Sequence, residues 1–395
     1  MIPRQANSTL QRLAQGFPVL GITGPRQSGK TTLARAMFAA KAYVSLENPQ
    51  EREFALTDPQ RFLARFTDGA VLDEVQRCPA LLSWLQQLVD ERAVMGDFVL
   101  TGSAQFDLLA GISQSLAGRV GRVELLPLSG AELGQERLPA SLDTLLFKGG
   151  YPALYDRTLA PTDWFPNYVA TYLERDVRQL LAVQDLSQFH RFVRMCAARS
   201  GQLLNLSALG ADCGISAVTA AKWLSVLETS YLVMRLPPYH RNFGKRLVKT
   251  PKLYFLDAAL MAWLLGIRDA TSIETHAARG ALFETWVLSE LVKQRFNAGQ
   301  GAELFFWRDN VGHEVDVVFE TPQGLQAIEI KSGSTFASDW PQAVSKWVGL
   351  ADAPALPPQI VYGGKDRYAR QGCEVLGWRE FALGHSTAIN PPVQG

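Results

Sequence analysis

Over residues 1–130, short continuous apolar runs alternate with stretches whose apolar residues recur every three or four positions. Such runs predict buried strands, and such stripes predict amphipathic helices. Strands are expected at Phe17–Thr23, Tyr43–Leu46, Ala70–Leu72, Phe98–Thr101 and Val120–Leu126, and helices at Thr31–Ala39 and Leu81–Arg92. Strands alternating with helices imply a parallel sheet with helices on its faces. From about Ala131 helical periodicity takes over, through Tyr168–Leu181 to about Leu227, and a strand-rich segment runs from near Leu304 to Lys331. The expected α/β organisation is therefore a parallel-sheet domain over 1–130, a helical middle over 131–250, and a second α/β domain over 251–395. The tail from Asn390, with Pro391, Pro392 and Gly395, is expected to fray.

The length of 395 residues suits two to three domains at roughly 100–200 residues each. A net charge of +1 excludes a global cationic field, so any nucleic-acid contact must come from a local patch. Cys78, Cys196, Cys213 and Cys373 lie far apart with no C-x-x-C pair, which argues against a disulfide framework or zinc ribbon and fits a reducing cytoplasm. No basic segment leads into an apolar run at the N-terminus, so no signal peptide is expected. Leu253–Leu265 is apolar but short for a membrane span and is interrupted by Asp257; it reads as core.

Gly24-Pro25-Arg26-Gln27-Ser28-Gly29-Lys30-Thr31 matches G-x-x-x-x-G-K-[ST] at every fixed position, between an expected strand and an expected helix. Glycines let the backbone approach phosphates and turn sharply, and exposed N–H groups at a helix N-terminus bind the anion. Lys30 supplies a point charge for the β and γ phosphates of ATP, and the Thr31 hydroxyl is a ligand for Mg²⁺; Thr32 completes the loop contact. Ala70-Val71-Leu72-Asp73-Glu74 is an apolar strand ending in carboxylates. It sets Asp73 near the metal and Glu74 where it can polarise the attacking water.

These motifs, together with Asp73-Glu74-Val75-Gln76-Arg77, Leu100-Thr101-Gly102-Ser103 and Leu116-Ala117-Gly118-Arg119 in that order, resemble an AAA-type ATPase. More narrowly, the chain resembles a prokaryotic family with an AAA domain followed by a C-terminal domain of uncharacterised function, along nearly its whole length. The resemblance implies a polar sensor at Ser103, with Thr101 as the alternative. It also implies an arginine finger at Arg119, with Arg122 in reserve, reaching a neighbouring subunit in a homo-oligomer. A structural or nucleotide-sensing role for Arg175 is a further implication.

Leu203–Tyr231 reads as helix, turn, helix, with Ser216 placed to N-cap the second helix and Tyr231–Leu236 as the first strand of a wing. The family resemblance places a winged helix here, over about 200–250. Between Thr229 and Leu256 there is no acidic residue, while Arg235, Arg241, Lys245, Arg246, Lys249 and Lys252 are basic. A basic wing beside such a helix is a footprint for DNA, with Arg241, Lys245 and Arg246 as the contact residues.

Val315–Glu320 and Leu325–Lys331 are strand-like runs around Thr321-Pro322-Gln323-Gly324, whose Pro and Gly mark a turn. A symmetric loop pairs Glu320 with Leu325 and so sets Asp316 opposite Glu329. Facing carboxylates need an offsetting charge, which Mg²⁺ or Mn²⁺ would supply. Lys331 shares a face with Glu329. Glu284, on a helix beginning near Gly280, is the candidate to complete the site, with Glu290 as second choice; Glu314, Glu303 and His313 read as surface, and Phe305 and Trp307 as core. Glu284, Asp316, Glu329 and Lys331 resemble the site of the PD-(D/E)xK restriction-endonuclease-like fold. The expected function is a Mg²⁺-dependent ATPase acting on DNA; the alternative is an ATP-switched regulator or scaffold whose C-terminal domain binds a partner without cleavage.

Overall fold

The alternating runs of the N-terminal region become five strands, β1 (Val19–Gly24), β2 (Ala42–Ser45), β3 (Ala70–Asp73), β4 (Phe98–Ser103) and β5 (Val120–Glu124), in the spatial order β2-β3-β4-β1-β5. Every pairing is parallel. The structure, a computed structural model, describes residues 2–103, 115–173, 186–239, 248–351 and 355–384; Arg175, the three candidate DNA residues and the tail from Asn390 lie outside them.

Both faces of this sheet are buried, as a parallel sheet requires. Val19, Leu72, Phe98 and Leu100 pack on one side with Leu81, Leu82, Leu85 and Val89 of helix Leu81–Arg92. Leu20, Ile22, Val71 and Val99 pack on the other with Leu33 and Ala34 of helix Lys30–Met37 and Ala6 and Leu10 of helix Ala6–Ala14. This unit comprises Met1–Leu128, Thr229–Tyr231 and Arg295–Gly301. The added segments are bonded into it. The Tyr231 hydroxyl lies 3.2 Å from Thr23 Oγ1 and also hydrogen-bonds Glu124. Thr9 Oγ1 donates to the Asn297 carbonyl at 2.8 Å. Tyr231 holds a left-handed backbone, φ 54°.

The second unit comprises Ser129–Glu228, Leu232–Gln294 and Ala302–Gly395, so the expected middle and C-terminal regions cluster together. Helices Leu206–Cys213 and Ala217–Thr229 are followed by β6 (Val233–Leu236), which pairs antiparallel with β7 (Lys252–Phe255). Ser216 Oγ accepts from Thr219 N at 3.0 Å, the expected cap. Val218, an apolar position of the second helix, points outward and is 66% exposed. Leu253–Leu265 is core, and no helix among the described residues is long and apolar enough to cross a membrane.

A mixed six-stranded sheet completes this unit. Its strands are β8 (Phe305–Arg308), β9 (Glu314–Thr321), β10 (Gly324–Lys331), β11 (Gln359–Tyr362), β12 (Arg367–Arg370) and β13 (Cys373–Gly377), in the order β12-β13-β11-β10-β9-β8. Trp307, Val315, Val318, Ala327, Trp347 and Ile360 fill its core, with Phe305 packed against them. Leu325 faces Glu320, the register the turn count predicts.

Candidate functional site

Three strand ends meet at one edge of the parallel sheet, where ligands of open α/β sheets are bound. β1 ends at Gly24, β3 at Asp73 and β4 at Ser103. Gly24 has φ 147°, and a Cβ there would sit 2.2 Å from the Leu125 carbonyl, so glycine is required by the neighbouring backbone as well as by the turn. Gly29, at φ 93°, precedes helix Lys30–Met37, whose N-terminus carries no side-chain cap. Its first N–H groups are therefore left for an anion.

The side chains of the loop are arranged for the same end. Lys30 is 6% exposed and donates to the carbonyls of Gly24 at 3.0 Å and Pro25 at 2.8 Å. Ser28 Oγ is buried without a partner, an orphaned polar atom inside the loop. Pro25 is buried, Arg26 half-buried, and Gln27 and Thr32 exposed. Thr31 Oγ1 donates to Asp73 Oδ1 at 2.9 Å, which brings the two candidate Mg²⁺ ligands into direct contact. The cradle and this oxygen pair fit a nucleotide phosphate with its cation.

Asp73 is held from two further sides. Thr101 Oγ1 donates to its Oδ1, and the Tyr43 hydroxyl donates to its Oδ2 at 2.8 Å. Burial, then the bond to Asp73, pushes the Tyr43 hydroxyl up to about 12. Glu74 follows in a left-handed conformation, φ 58° and ψ 43°, which costs a non-glycine residue roughly 1–2 kcal/mol. Its carboxylate accepts from Gln76 Nε2, which lies 3.1 Å from Ser103 Oγ. The two sensor candidates thus divide: Thr101 bonds Asp73, and Ser103 reaches Glu74 through Gln76. Burial raises the Glu74 carboxyl above the ordinary value, while Lys30, Arg26 and the Gln76 bond pull it down.

Arg119 is bound within its own unit. Its Nε and Nη2 lie 2.5 and 2.8 Å from the two carboxylate oxygens of Asp90 on helix Leu81–Arg92. Arg122 lies 3.8 Å from Glu124. Arg4, which sequence reasoning passed over, is 7% exposed and donates to the carbonyls of Ser28 at 2.7 Å and Leu126 at 2.6 Å, bracing the loop. Its signal was an arginine ahead of an amphipathic helix. Tyr43 and Gln76 were also passed over, although Gln76 stands in the same short string as Asp73 and Glu74.

The second unit gathers charge around its hairpin. Asp316 Oδ2 accepts from the Ile330 N–H at 2.7 Å, and Glu329 Oε1 lies 2.6 Å from Lys331 Nζ. Burial and then the neighbouring Glu329 and Glu284 push the Asp316 carboxyl well up. Glu284 accepts from the Tyr254 hydroxyl and lies 3.4 Å from Lys252 Nζ. Glu314, expected on the surface, instead pairs with Lys252 at 2.5 Å and with Arg308 at 3.3 Å.

Among the described residues no three His, Cys, Asp or Glu side chains form a group that could hold a metal ion. Glu284 and Glu314 instead face Lys252, and Glu329 faces Lys331. Glu290, the second choice, is removed from the site: it binds the Gly130 N–H at 2.7 Å and Lys293 at 2.8 Å. The basic wing also loses members. Lys252 is 3% exposed, and Arg235 is paired with Glu228 at 2.5 and 2.7 Å, one residue outside the acid-free window. Glu303 is exposed, and His313 bonds Asp309 at 2.9 Å.

Comparison with known proteins adds the following. Residues 16–134 match a family model described as an AAA domain. Residues 139–271 and 279–381 match models described as Domain of unknown function (DUF8612) and Domain of unknown function (DUF4143). Uncharacterized protein Rv2008c of Mycobacterium tuberculosis and Uncharacterized protein Mb2031c of Mycobacterium bovis are each 33% identical over 371 residues, covering 92% of this chain and 81% of theirs. Among solved structures, a Walker-type ATPase of Pyrococcus abyssi is 14% identical with a TM-score of 0.44, covering 67% of this chain and 96% of that one. RuvB of Thermotoga maritima is 18% identical with a TM-score of 0.31, covering 59% and 89%.

Proposed function

This chain belongs to the family of these mycobacterial proteins, and its own N-terminal part is an AAA-type P-loop domain; from that premise we propose that it hydrolyses ATP with Mg²⁺. The observation that carries the reading is the contact of Thr31 with Asp73 beside the Lys30 loop. The residues from Gly24 to Thr32 cradle the phosphates, and Lys30 turns from the loop carbonyls to the β and γ oxygens. Thr31 and Asp73 would hold Mg²⁺, which when bound neutralises phosphate charge. Glu74 accepts the proton of the attacking water. Ser103 and Gln76 orient Glu74, while Thr101 and Tyr43 orient Asp73. Arg119 serves a neighbouring subunit in a homo-oligomer once its bond to Asp90 opens. The direct test is steady-state phosphate release from the purified chain with ATP and Mg²⁺; no release above the level of a Lys30→Ala control rejects the proposal.

The pH dependence tests the role of Gln76. Its hydrogen bond favours the charged Glu74 and so lowers that carboxyl against the upward push of burial. In Gln76→Ala the carboxyl rises, and the base is lost at higher pH. The acidic limb of the kcat profile is therefore expected to move to higher pH. A limb that stays in place, or moves down, removes Gln76 from the mechanism.

For the second unit the buried Lys252 among the hairpin acids favours the binding module over the metal-dependent nuclease. The partner proposed for it is DNA, with Arg241, Lys245 and Arg246 as the contact residues. Reversing these three charges is expected to weaken duplex binding uniformly across sequences. It should also flatten the salt dependence, with log K against log[salt] losing about 0.9 in slope for each phosphate contact removed. Unchanged anisotropy titrations would take DNA out of the function.

A further inference from the structure

Glu314 of the hairpin and Glu284 of helix Arg279–Asn297 converge on a cation that belongs to the chain. Lys252 stands at the start of β7 and is 3% exposed. Its Nζ lies 2.5 Å from Glu314 Oε1, 3.4 Å from Glu284 Oε1 and 3.3 Å from the Tyr254 hydroxyl. Burial pushes its ammonium down, and the charges of Glu284, Asp316 and Glu314 more than offset that.

Each carboxylate around it has at least one oxygen already engaged. Tyr254 and Lys252 take Glu284 Oε1, Arg308 takes Glu314 Oε2, the Ile330 N–H takes Asp316 Oδ2, and Lys331 takes Glu329 Oε1. Glu329 Oε2 is buried without a partner. A hard divalent cation needs several carboxylate and water oxygens turned to one point. Here Glu284 and Glu314 contact an ammonium group, with the charge of Asp316 nearby; it brings one positive charge and three donors and has no lone pair for a metal.

We infer that Lys252 takes the place of a divalent cation, so that the hairpin centre of this chain is a metal-free, lysine-neutralised site. A corollary follows from charge alone. Removing the ammonium group leaves Glu284, Glu314 and Asp316 facing one another without their shared cation, and a divalent ion can then enter. The inference stands apart from the ATPase reading, because it concerns residues of the second unit and is tested without nucleotide.

The test is a Mn²⁺ titration of the full-length, nucleotide-free chain, with free Mn²⁺ followed by its paramagnetic resonance signal. Wild type, Asp316→Asn, Lys252→Met and Lys252→Met with Asp316→Asn are compared. Any binding elsewhere in the chain is common to all four and cancels. Wild type and Asp316→Asn are expected to take up equal Mn²⁺. Lys252→Met is expected to gain an additional equivalent, which the double variant loses. A wild-type equivalent that Asp316→Asn abolishes would overturn the inference, as would a folded Lys252→Met that gains none. Should Lys252→Met fail to fold, the comparison of wild type with Asp316→Asn still decides, because a resident metal site must lose its ion when Asp316 is neutralised.

Discussion

Glu74→Gln is expected to bind ATP like wild type while kcat falls by about 10²–10⁴, the range over which a positioned general base contributes. The substitution keeps the size and the polar contact to Gln76 but removes the group that accepts the proton. Asp73, Thr31 and Lys30 are untouched, so affinity has no reason to change. Lys30→Ala gives the complementary result. Truncating a buried, charge-bearing contact costs roughly 3–4 kcal/mol, or about 10²–10³ in affinity, and nucleotide binding is expected to drop out of the measurable range. Fluorescent-nucleotide titration together with phosphate release separates the two variants. Wild-type turnover by Glu74→Gln would show that another group accepts the proton.

Asp257→Ala is expected to cause the largest loss of stability. Asp257 is 4% exposed, and its carboxylate accepts from the N–H groups of Gly150 at 3.0 Å, Ala259 at 3.0 Å and Leu260 at 2.9 Å. It thus caps helix Ala258–Leu264 and fixes the turn at Gly149 and Gly150 together. Alanine orphans three buried donors at roughly 1–3 kcal/mol each. Partial hydration reduces the sum, so the expected loss is about 3–5 kcal/mol against a typical total of 5–15. Asp257→Asn keeps an acceptor. Burial raises the Asp257 carboxyl above the ordinary value, so a neutral group is tolerated, and Asn is expected to retain more than half of the lost stability. Equal melting temperatures for Asp257→Ala and wild type would discount the cap.

The nucleotide loop was legible because its chemistry is local. Gly24, Gly29, Lys30 and Thr31 are fixed by one turn, and Asp73 by the end of one strand. The hairpin was legible for the same reason: a four-residue loop sets the register, and Leu325 faces Glu320. What escaped depends on residues far apart in the chain. Arg4 braces a carbonyl at Ser28, and Tyr43 reaches Asp73 across adjacent strands. Lys252 is the instructive case. Its basic neighbours made it look like part of a DNA-binding strip, yet it answers acids at Glu284 and Glu314 that no local window contains. A charge pattern along the sequence cannot distinguish a solvated cation from one that neutralises a buried cluster.

Tyr231 bears on how such a chain is inherited. The first unit is assembled from three stretches of sequence, and Thr23 and Glu124 meet their phenolic partner about a hundred residues beyond the joint at Leu128. A recombination event at that joint would hand the sheet a foreign residue where Tyr231 stands. Transferred alone, the AAA segment would arrive with the half-buried carboxyl group of Glu124 missing its Tyr231 partner. A chimera that exchanges residues 1–128 alone is thereby expected to melt lower than one that also carries the matching residue at position 231.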